Sequence, residues 1–339
     1  MVTINDVARS AHVSKKTVSR VINNHPNVAA QTRAHVQRII EELGYQPNVI
    51  ARGLAQGKAN AIGVVIEESA RAVFAYPLYN DILYGIAQVL NAEKIDMLVR
   101  LDREAPTNYL DLYLQRRVDG LILASMSADD RQLPLLFQSD APYVLTQRVM
   151  DNGTGTWWVD VDFEAGARQA AAHLLDLGHR QIAFLVGPAN KTYTRLMLRG
   201  HRSVLEERGL SIQEDFILSS PPYTGVEPER IQAIMNSSHP PTAFVCSDDM
   251  KAVQLLQVLQ AQGYRIPTDV SVIGSDDTVI AQYANPPLTT IHQDAVEKGR
   301  LAATILLNRM HNVNGHAPAQ VLLPTRLIVR ETTGPAPAG

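Results

Sequence analysis

A single cysteine, Cys246, stands in 339 residues, which excludes an intramolecular disulfide framework and a cysteine-ligated zinc site and agrees with a reducing compartment. No uninterrupted apolar run reaches the roughly 20 residues a membrane helix needs, so no membrane association is expected. The opening stretch MVTINDVARS lacks the basic start, apolar middle and small-residue cleavage site of a secretion signal; it reads as structure, and a cytoplasmic protein is expected. Glycine-bearing stretches such as GHRQ and GPAN reproduce neither a P-loop nor a dinucleotide-binding fingerprint, and no nucleophile elbow or HExxH pattern occurs. Nothing therefore points to an enzyme, a cofactor or a metal.

The net charge of -3 conceals an uneven distribution. In the first sixty residues Arg9, Lys15, Lys16, Arg20, Arg33, Arg38, Arg52 and Lys58 face only Asp6, Glu41 and Glu42, a surplus of +5 that leaves -8 for the remainder. A basic module on an acidic body fits a head that binds a polyanion.

That module predicts three short helices. Thr3 is placed to cap the first, with Asp6 as the acidic half of a capping box and Ile4, Val7, Ala8 and Ala11 as its apolar stripe. Ser14 opens a second, KKTVSRVINN, with Val18, Val21 and Ile22 at helical spacing. Two helices joined by so tight a turn cross steeply, which is helix-turn-helix geometry. In that geometry the start of the second helix enters the major groove of double-stranded DNA, exposing Lys15, Lys16, Ser19 and Arg20 for base readout. Ser14, Thr17 and Asn23 suit phosphate contacts. A third helix, from about Ala30 to Leu43, carries Val36, Ile39 and Ile40 and stops at Gly44.

From Ala61 onward short apolar runs (IGVVI, DMLVRL, GLILAS, IAFLVG, AFVCS, VSVIG) alternate with helical stretches such as AGARQAAAHLLDLG and AVQLLQVLQAQG. The alternation predicts an α/β fold of doubly wound parallel sheets with helices on both faces. Such sheets bind ligands at the carboxyl ends of their strands.

Two linked patterns, VTINDVARSAHVSKKTVSRVINNHPNV and ELGYQPNVIARGLA, together with LGHRQIAFLVGP, FVCSDDM, IPTDVSVIGSDD and NPPLTTIHQD, resemble the LacI/GalR family over about residues 2 to 331. The resemblance implies a headpiece at 1–46, a hinge at 47–59 whose helix spans Asn48 to Gln56, and an effector-binding core at 60–331. That core is periplasmic-binding-protein-like, with one lobe at about 60–158 and 290–320 and the other at about 159–289 and 321–331; residues 332–339 form a flexible tail. It assigns Leu54 as a minor-groove wedge beside Arg52, and Arg195 and Asp276 as effector-binding residues. Around these it sets Tyr79, Arg148, Lys191, Tyr223 and Ser247, with Gln293 near a crossover between lobes.

An arginine and a carboxylate in one cleft suit a polyhydroxylated ligand, so a sugar or sugar derivative is the expected effector, and Lys191 with Arg195 leaves a phosphorylated or carboxylated sugar open. AYPLY at 75–79 and the pair Trp157 and Trp158 are expected to add aromatic surface near the cleft, which favours a saccharide over a purine. Two departures from the family pattern stand out: EESARAVFAYPLYND is several residues longer than the usual segment after the first strand, and Ala189 replaces a polar residue. A single headpiece reads a short half-site, which predicts a homodimer on a pseudo-palindromic operator. Its interface is expected to include the helix around Ile82 to Leu90, and the tail lacks the leucine heptads of a tetramerisation helix. The reading is a repressor of carbohydrate-utilisation genes released by a sugar-like inducer. Its alternatives are a corepressor, a protein partner as effector, a solute-binding protein or an enzyme.

Overall fold

The computed structural model describes residues 2–45, 58–101, 108–127, 130–149, 155–220, 226–311 and 319–337. Contacts divide the chain into two units, 1–60 and 61–339.

In the first unit the Thr3 hydroxyl accepts from Asp6 N while Asp6 Oδ2 accepts from Thr3 N at 3.0 Å, a reciprocal cap that starts α1 (Ile4–Ser10). Hydrogen bonding from Thr3 holds the Asp6 carboxyl below the usual carboxylate range. A turn through His12, at φ +50°, leads to Ser14, whose hydroxyl accepts from Thr17 N at 3.1 Å and caps α2 (Lys15–Ile22). The third helix, α3 (Ala30–Glu42), ends before Gly44, whose φ of +59° is the left-handed terminator glycine supplies. Val7, Ala8, Ala11, Val18, Val21 and Val36 close the core between them. Arg33 ties α3 to the loop after α2, donating to Asn24 Oδ1 and to His25 O, each at 2.7 Å.

The second unit begins with β1 (Ala61–Ile66), α4 (Ala70–Ala75), α5 (Pro77–Ala92), β2 (Asp96–Leu101), α6 (Leu110–Leu114), β3 (Gly120–Ala124), α7 (Leu133–Phe137), β4 (Tyr143–Leu145) and β5 (Trp158–Val161). It continues with α8 (Phe163–Asp176), β6 (Ile182–Val186), α9 (Thr192–Glu207), β7 (Ile217–Ser219), α10 (Pro228–Met235), β8 (Ala243–Cys246), α11 (Asp249–Ala261), β9 (Ser271–Asp276), α12 (Val279–Tyr283) and β10 (Thr289–His292). The last elements are α13 (Ala295–Met310), β11 (Gln320–Leu323) and β12 (Arg326–Ile328).

Two six-stranded sheets result, ordered β11-β5-β4-β3-β1-β2 and β12-β10-β9-β8-β6-β7. All pairings are parallel except β10 with β12. The inner strands are buried on both faces, as their uninterrupted apolar runs require. Each sheet is the centre of a lobe, and the chain passes between lobes after β5, after β10 and between β11 and β12.

These crossings shift the lobe boundaries expected from sequence by a few residues. β5 lies wholly in the first sheet rather than opening the second lobe at 159; β10 belongs to the second sheet rather than to a first-lobe segment from 290; β11 returns to the first sheet rather than opening the second lobe at 321. The strands carry the pairing, so the crossings fall in the loops that follow them.

The tail expected to be flexible is pinned to the second lobe through Ala336. Thr332 is fully buried and donates to Val272 O at 2.6 Å, His179 Nε2 is 3.1 Å from Gly334 O, and Ala336 N donates to Leu177 O at 2.9 Å. Its small residues resemble a disordered end, but Thr332, Thr333, Gly334 and Ala336 each make a hydrogen bond to the second lobe.

In the first lobe α5 and α13 pack closely enough that a Cβ on Gly85 would overlap Val296 O and one on Gly299 would overlap Ile82 O. Ile82, Ile86 and Leu90 therefore face the core, while Asn80, Tyr84 and Gln88 point outward on the opposite stripe of that helix.

Candidate functional site

On the first unit, burial of Val18 and Val21 turns Lys15, Lys16 and Arg20 to solvent, with Ser19 half-buried beside them. Asn23 donates to Ser19 Oγ at 3.4 Å, and the Ser14 and Thr17 hydroxyls lie 2.9 Å apart. Three exposed cations on one short capped helix form a compact basic surface. Arg52 and Leu54 lie outside the described residues, as does the whole hinge helix.

In the second unit a cavity of about 690 Å³, open mouth included, lies at the carboxyl ends of strands from both sheets. Ser125 and Gln147 follow β3 and β4; Ser247 and Asp248 follow β8; Asp276 ends β9, and Gln293 follows β10. Tyr79 comes from the first turn of α5, Phe163 and Tyr193 open α8 and α9, and Lys298 enters from α13. Phe163 and Tyr193 stand 6.0 Å apart between ring centroids.

Its charges are matched within the protein. Asp160 accepts from Arg148 Nε at 3.1 Å and lies 3.8 Å from Lys298 Nζ; burial raises the Asp160 carboxyl and lowers the Lys298 ammonium. Asp248 caps α11 and pairs with Lys251 at 2.7 Å. Asp276 accepts from the Tyr76 hydroxyl and from Gln293 Nε2, and burial pushes its pKa up to about 7. Asp249, behind it, accepts from Thr278 N (2.7 Å), Thr278 Oγ1 (2.9 Å) and Thr290 Oγ1 (2.6 Å), and burial holds its carboxyl well above the ordinary range. At φ +104° Asp276 occupies a backbone region L-residues rarely adopt, a strain typical of functional positions.

Residues 3–48 match the family described as bacterial regulatory proteins, lacI family, and residues 171–333 match the periplasmic binding protein-like domain. The HTH-type transcriptional regulator CelR of Thermobifida fusca is 33% identical, with 97% of this chain and 98% of CelR covered. The chain belongs to the lacI family. It is accordingly a DNA-binding transcriptional regulator, not an enzyme. Among solved structures, the lac repressor dimer bound to operator and the anti-inducer ONPF matches with a TM-score of 0.86 at 29% identity, over 98% of this chain and 99% of that one. The CelR–cellobiose complex matches at 0.76 and 31%, over 98% and 100%. No helix among the described residues is long and apolar enough to cross a membrane.

Of the eight effector positions expected from sequence, this lacI-family regulator brings Tyr79, Ser247, Asp276 and Gln293 together at the cavity. Tyr223 lies outside the described residues. Arg195, Lys191 and Arg148 are not among the described lining residues, for a physical reason in each case. Arg195 shares the exposed face of α9 with Arg199 and Arg202, four and seven residues on, and its Nε donates to Ala189 O at 2.9 Å. Lys191 is buried and spends its ammonium on Ser125 O and Glu68. Arg148 is drawn to Asp160. Trp157 and Trp158 pack against the first-lobe clusters, Trp157 with the Arg309 guanidinium 5.2 Å from its ring, and neither reaches the cavity.

Asp248, Gln147, Tyr193 and Lys298 line the cavity without having been singled out. Lys298 had a readable signal: it stands with Ala295, Gly299 and Ala302 on one stripe of a helix whose other stripe residues are small and apolar. A cation on a buried stripe marks a pairing site.

Proposed function

We propose that this regulator is a cytoplasmic homodimeric repressor of carbohydrate-utilisation genes that leaves a pseudo-palindromic double-stranded operator when a neutral sugar enters the cavity between its lobes. The observation that carries the ligand class is the cavity's charge balance. Among the described residues Asp160, Asp248 and Asp276 line it against Lys298 as the one lining cation, and that ammonium is already shared with Asp160. A phosphorylated or carboxylated sugar would bring an anion to a cavity whose nearby cations are already paired, Lys298 and Arg148 with Asp160 and Lys251 with Asp248. A neutral polyol finds carboxylate and amide acceptors, hydroxyl donors and the rings of Tyr79, Phe163 and Tyr193 for its apolar face. CelR, seated on cellobiose in its solved complex, supports the same class.

Lys15, Lys16, Ser19 and Arg20 are assigned to base readout, Ser14, Thr17 and Asn23 to phosphates, and Leu54 with Arg52 to the minor groove. Phe74, Tyr84, Val279 and Tyr283, 70%, 57%, 51% and 83% exposed, are large apolar side chains that an interface between two copies would cover. A ligand that releases DNA must bind the DNA-free state more tightly, and DNA must weaken sugar binding by the same factor.

The test selects an operator from random pseudo-palindromes with the full chain, then titrates the complex by fluorescence anisotropy with neutral mono- and disaccharides, sugar phosphates and purines. Release by a neutral saccharide, lost in Asp276→Ala, is expected. Release by a sugar phosphate or a purine alone, or tightening by the sugar, would overturn the reading.

A further inference from the structure

The segment that departs from the family pattern, EESARAVFAYPLYND, forms α4 and delivers Tyr76 to the start of α5. Tyr76 sits at the N-cap of α5, where a short polar side chain would satisfy the helix's free amides, yet it makes no capping bond. Its ring is fully buried, edge-on to Tyr79 at 6.5 Å between centroids, and its hydroxyl crosses from the first lobe to the second. There it donates to Asp276 Oδ2 and accepts from Asp249 N at 3.3 Å. Met250 and Ile280 of the second lobe pack on the same first-lobe cluster.

The two partners are informative. Asp249 is the first residue of α11, so its N–H has no intrahelical acceptor; the Tyr76 oxygen fills that role from another lobe. Asp276 lines the cavity, and a phenolic hydroxyl donating to its carboxylate is chemically what a sugar hydroxyl would be. Gln293 occupies the other carboxylate oxygen.

We propose that Tyr76 is a tethered stand-in for an effector hydroxyl: it clasps the two lobes together in the absence of ligand, and a sugar hydroxyl that engages Asp276 has to displace it. The consequence for a sugar rests on the effector reading given above. The first measurement is therefore made without any sugar, so that a missing effector and a missing clasp give different results.

In the ligand-free full-length protein, hydrogen exchange resolved over residues 244–254 should show the Asp249 amide protected at least 100-fold, and Tyr76→Phe, which keeps the ring, should speed it about tenfold while the control Tyr113→Phe, at a half-buried first-lobe position away from the cavity, leaves it unchanged. Fast exchange of that amide in the wild type overturns the proposal with no variant needed; an unchanged rate in a folded Tyr76→Phe overturns it as well. Any neutral saccharide that raises the unfolding temperature should do so at about tenfold lower concentration in Tyr76→Phe, and equal or weaker binding there defeats the displacement step. If no saccharide acts on either protein, the sugar reading fails while the exchange result still decides the clasp.

Discussion

Lys191, just before α9 in the second lobe, places its ammonium 2.6 Å from Ser125 O and 3.2 Å from Glu68 Oε1, both in the first lobe. Glu68 is 1% exposed and also accepts from Ser125 Oγ at 2.9 Å. Removing one member of a buried pair strands the other's charge, at a cost of about 3–5 kcal/mol. Lys191→Met should lower the stability of the full chain by an amount of that order in urea titrations, and adding Glu68→Gln should recover most of the loss. A cost below ~1 kcal/mol would mean that the clasp is solvated.

The helix pair α5 and α13 supplies a second prediction. At Gly85 the obstruction is the Val296 carbonyl, a backbone atom that cannot rotate away. Gly85→Ala should separate the helices and cost about 1–3 kcal/mol through strain, despite alanine's better helix propensity. A stabilised Gly85→Ala in thermal unfolding would show that the contact yields freely.

How much of this was legible in the sequence depended on the kind of signal. The headpiece was readable because Thr3, Asp6, Ser14 and Gly44 act through neighbours within a few residues, and each performs the expected local task. The sheets were readable because buried parallel strands are continuous apolar runs. Asp276 and Gln293 were reachable by resemblance, since strand ends fix their positions. Arg195 was assigned by resemblance, and a matched position on a helix does not say which face points inward; here it is exposed on α9. Tyr76 was expected near the cleft as part of AYPLY, but its bond to Asp276 was not, and Lys298 was missed, because the partners, Asp276 and Asp160, lie 200 and 138 residues away in the chain.

Asp276 predicts a pH signature. Burial raises its pKa to about 7, with a neighbouring negative charge at Asp248 adding to the rise against hydrogen bonds from Tyr76 and Gln293. A carboxyl raised on folding binds more protons in the native state, so its contribution is fully present below the unfolded value near 4 and is lost as pH climbs toward 7. Asp276→Asn cannot titrate. Its stability relative to wild type should rise between pH 5 and 7, by up to ~1.4 kcal/mol per unit, and level off above. Parallel pH profiles for the two proteins would place the Asp276 carboxyl in the ordinary range.

Within the headpiece the cations divide by task. Lys16 is exposed on α2, on the face proposed for base readout, whereas Arg33 is spent on Asn24 and His25. Lys16→Ala should relax base preference at one half-site position by about 1–3 kcal/mol. Arg33→Ala should weaken binding evenly across sequences and lower headpiece stability by ~1–2 kcal/mol, as loss of two hydrogen bonds from a charged group implies. Binding arrays over single-base operator variants separate the two outcomes; an altered base preference in Arg33→Ala would contradict the assignment.

Arg195 provides the sharpest discrimination between resemblance and geometry. The resemblance assigns it to the effector, and its loss would then abolish release from the operator. In the structure it lies on the outer face of α9, with its Nε on Ala189 O and no place in the cavity lining. One exposed side-chain-to-backbone bond contributes about 1 kcal/mol or less, so Arg195→Ala should leave sugar-induced release within about fivefold of wild type. Lys298→Met should behave oppositely, because it removes the ammonium that faces both Asp160 and Asp276 and leaves Asp160 to Arg148 alone. The sugar concentration for half-release should rise tenfold or more in Lys298→Met, with operator affinity in the absence of sugar unchanged. The reverse ranking would return the effector contact to Arg195 and require α9 to rotate that side chain inward when the ligand binds.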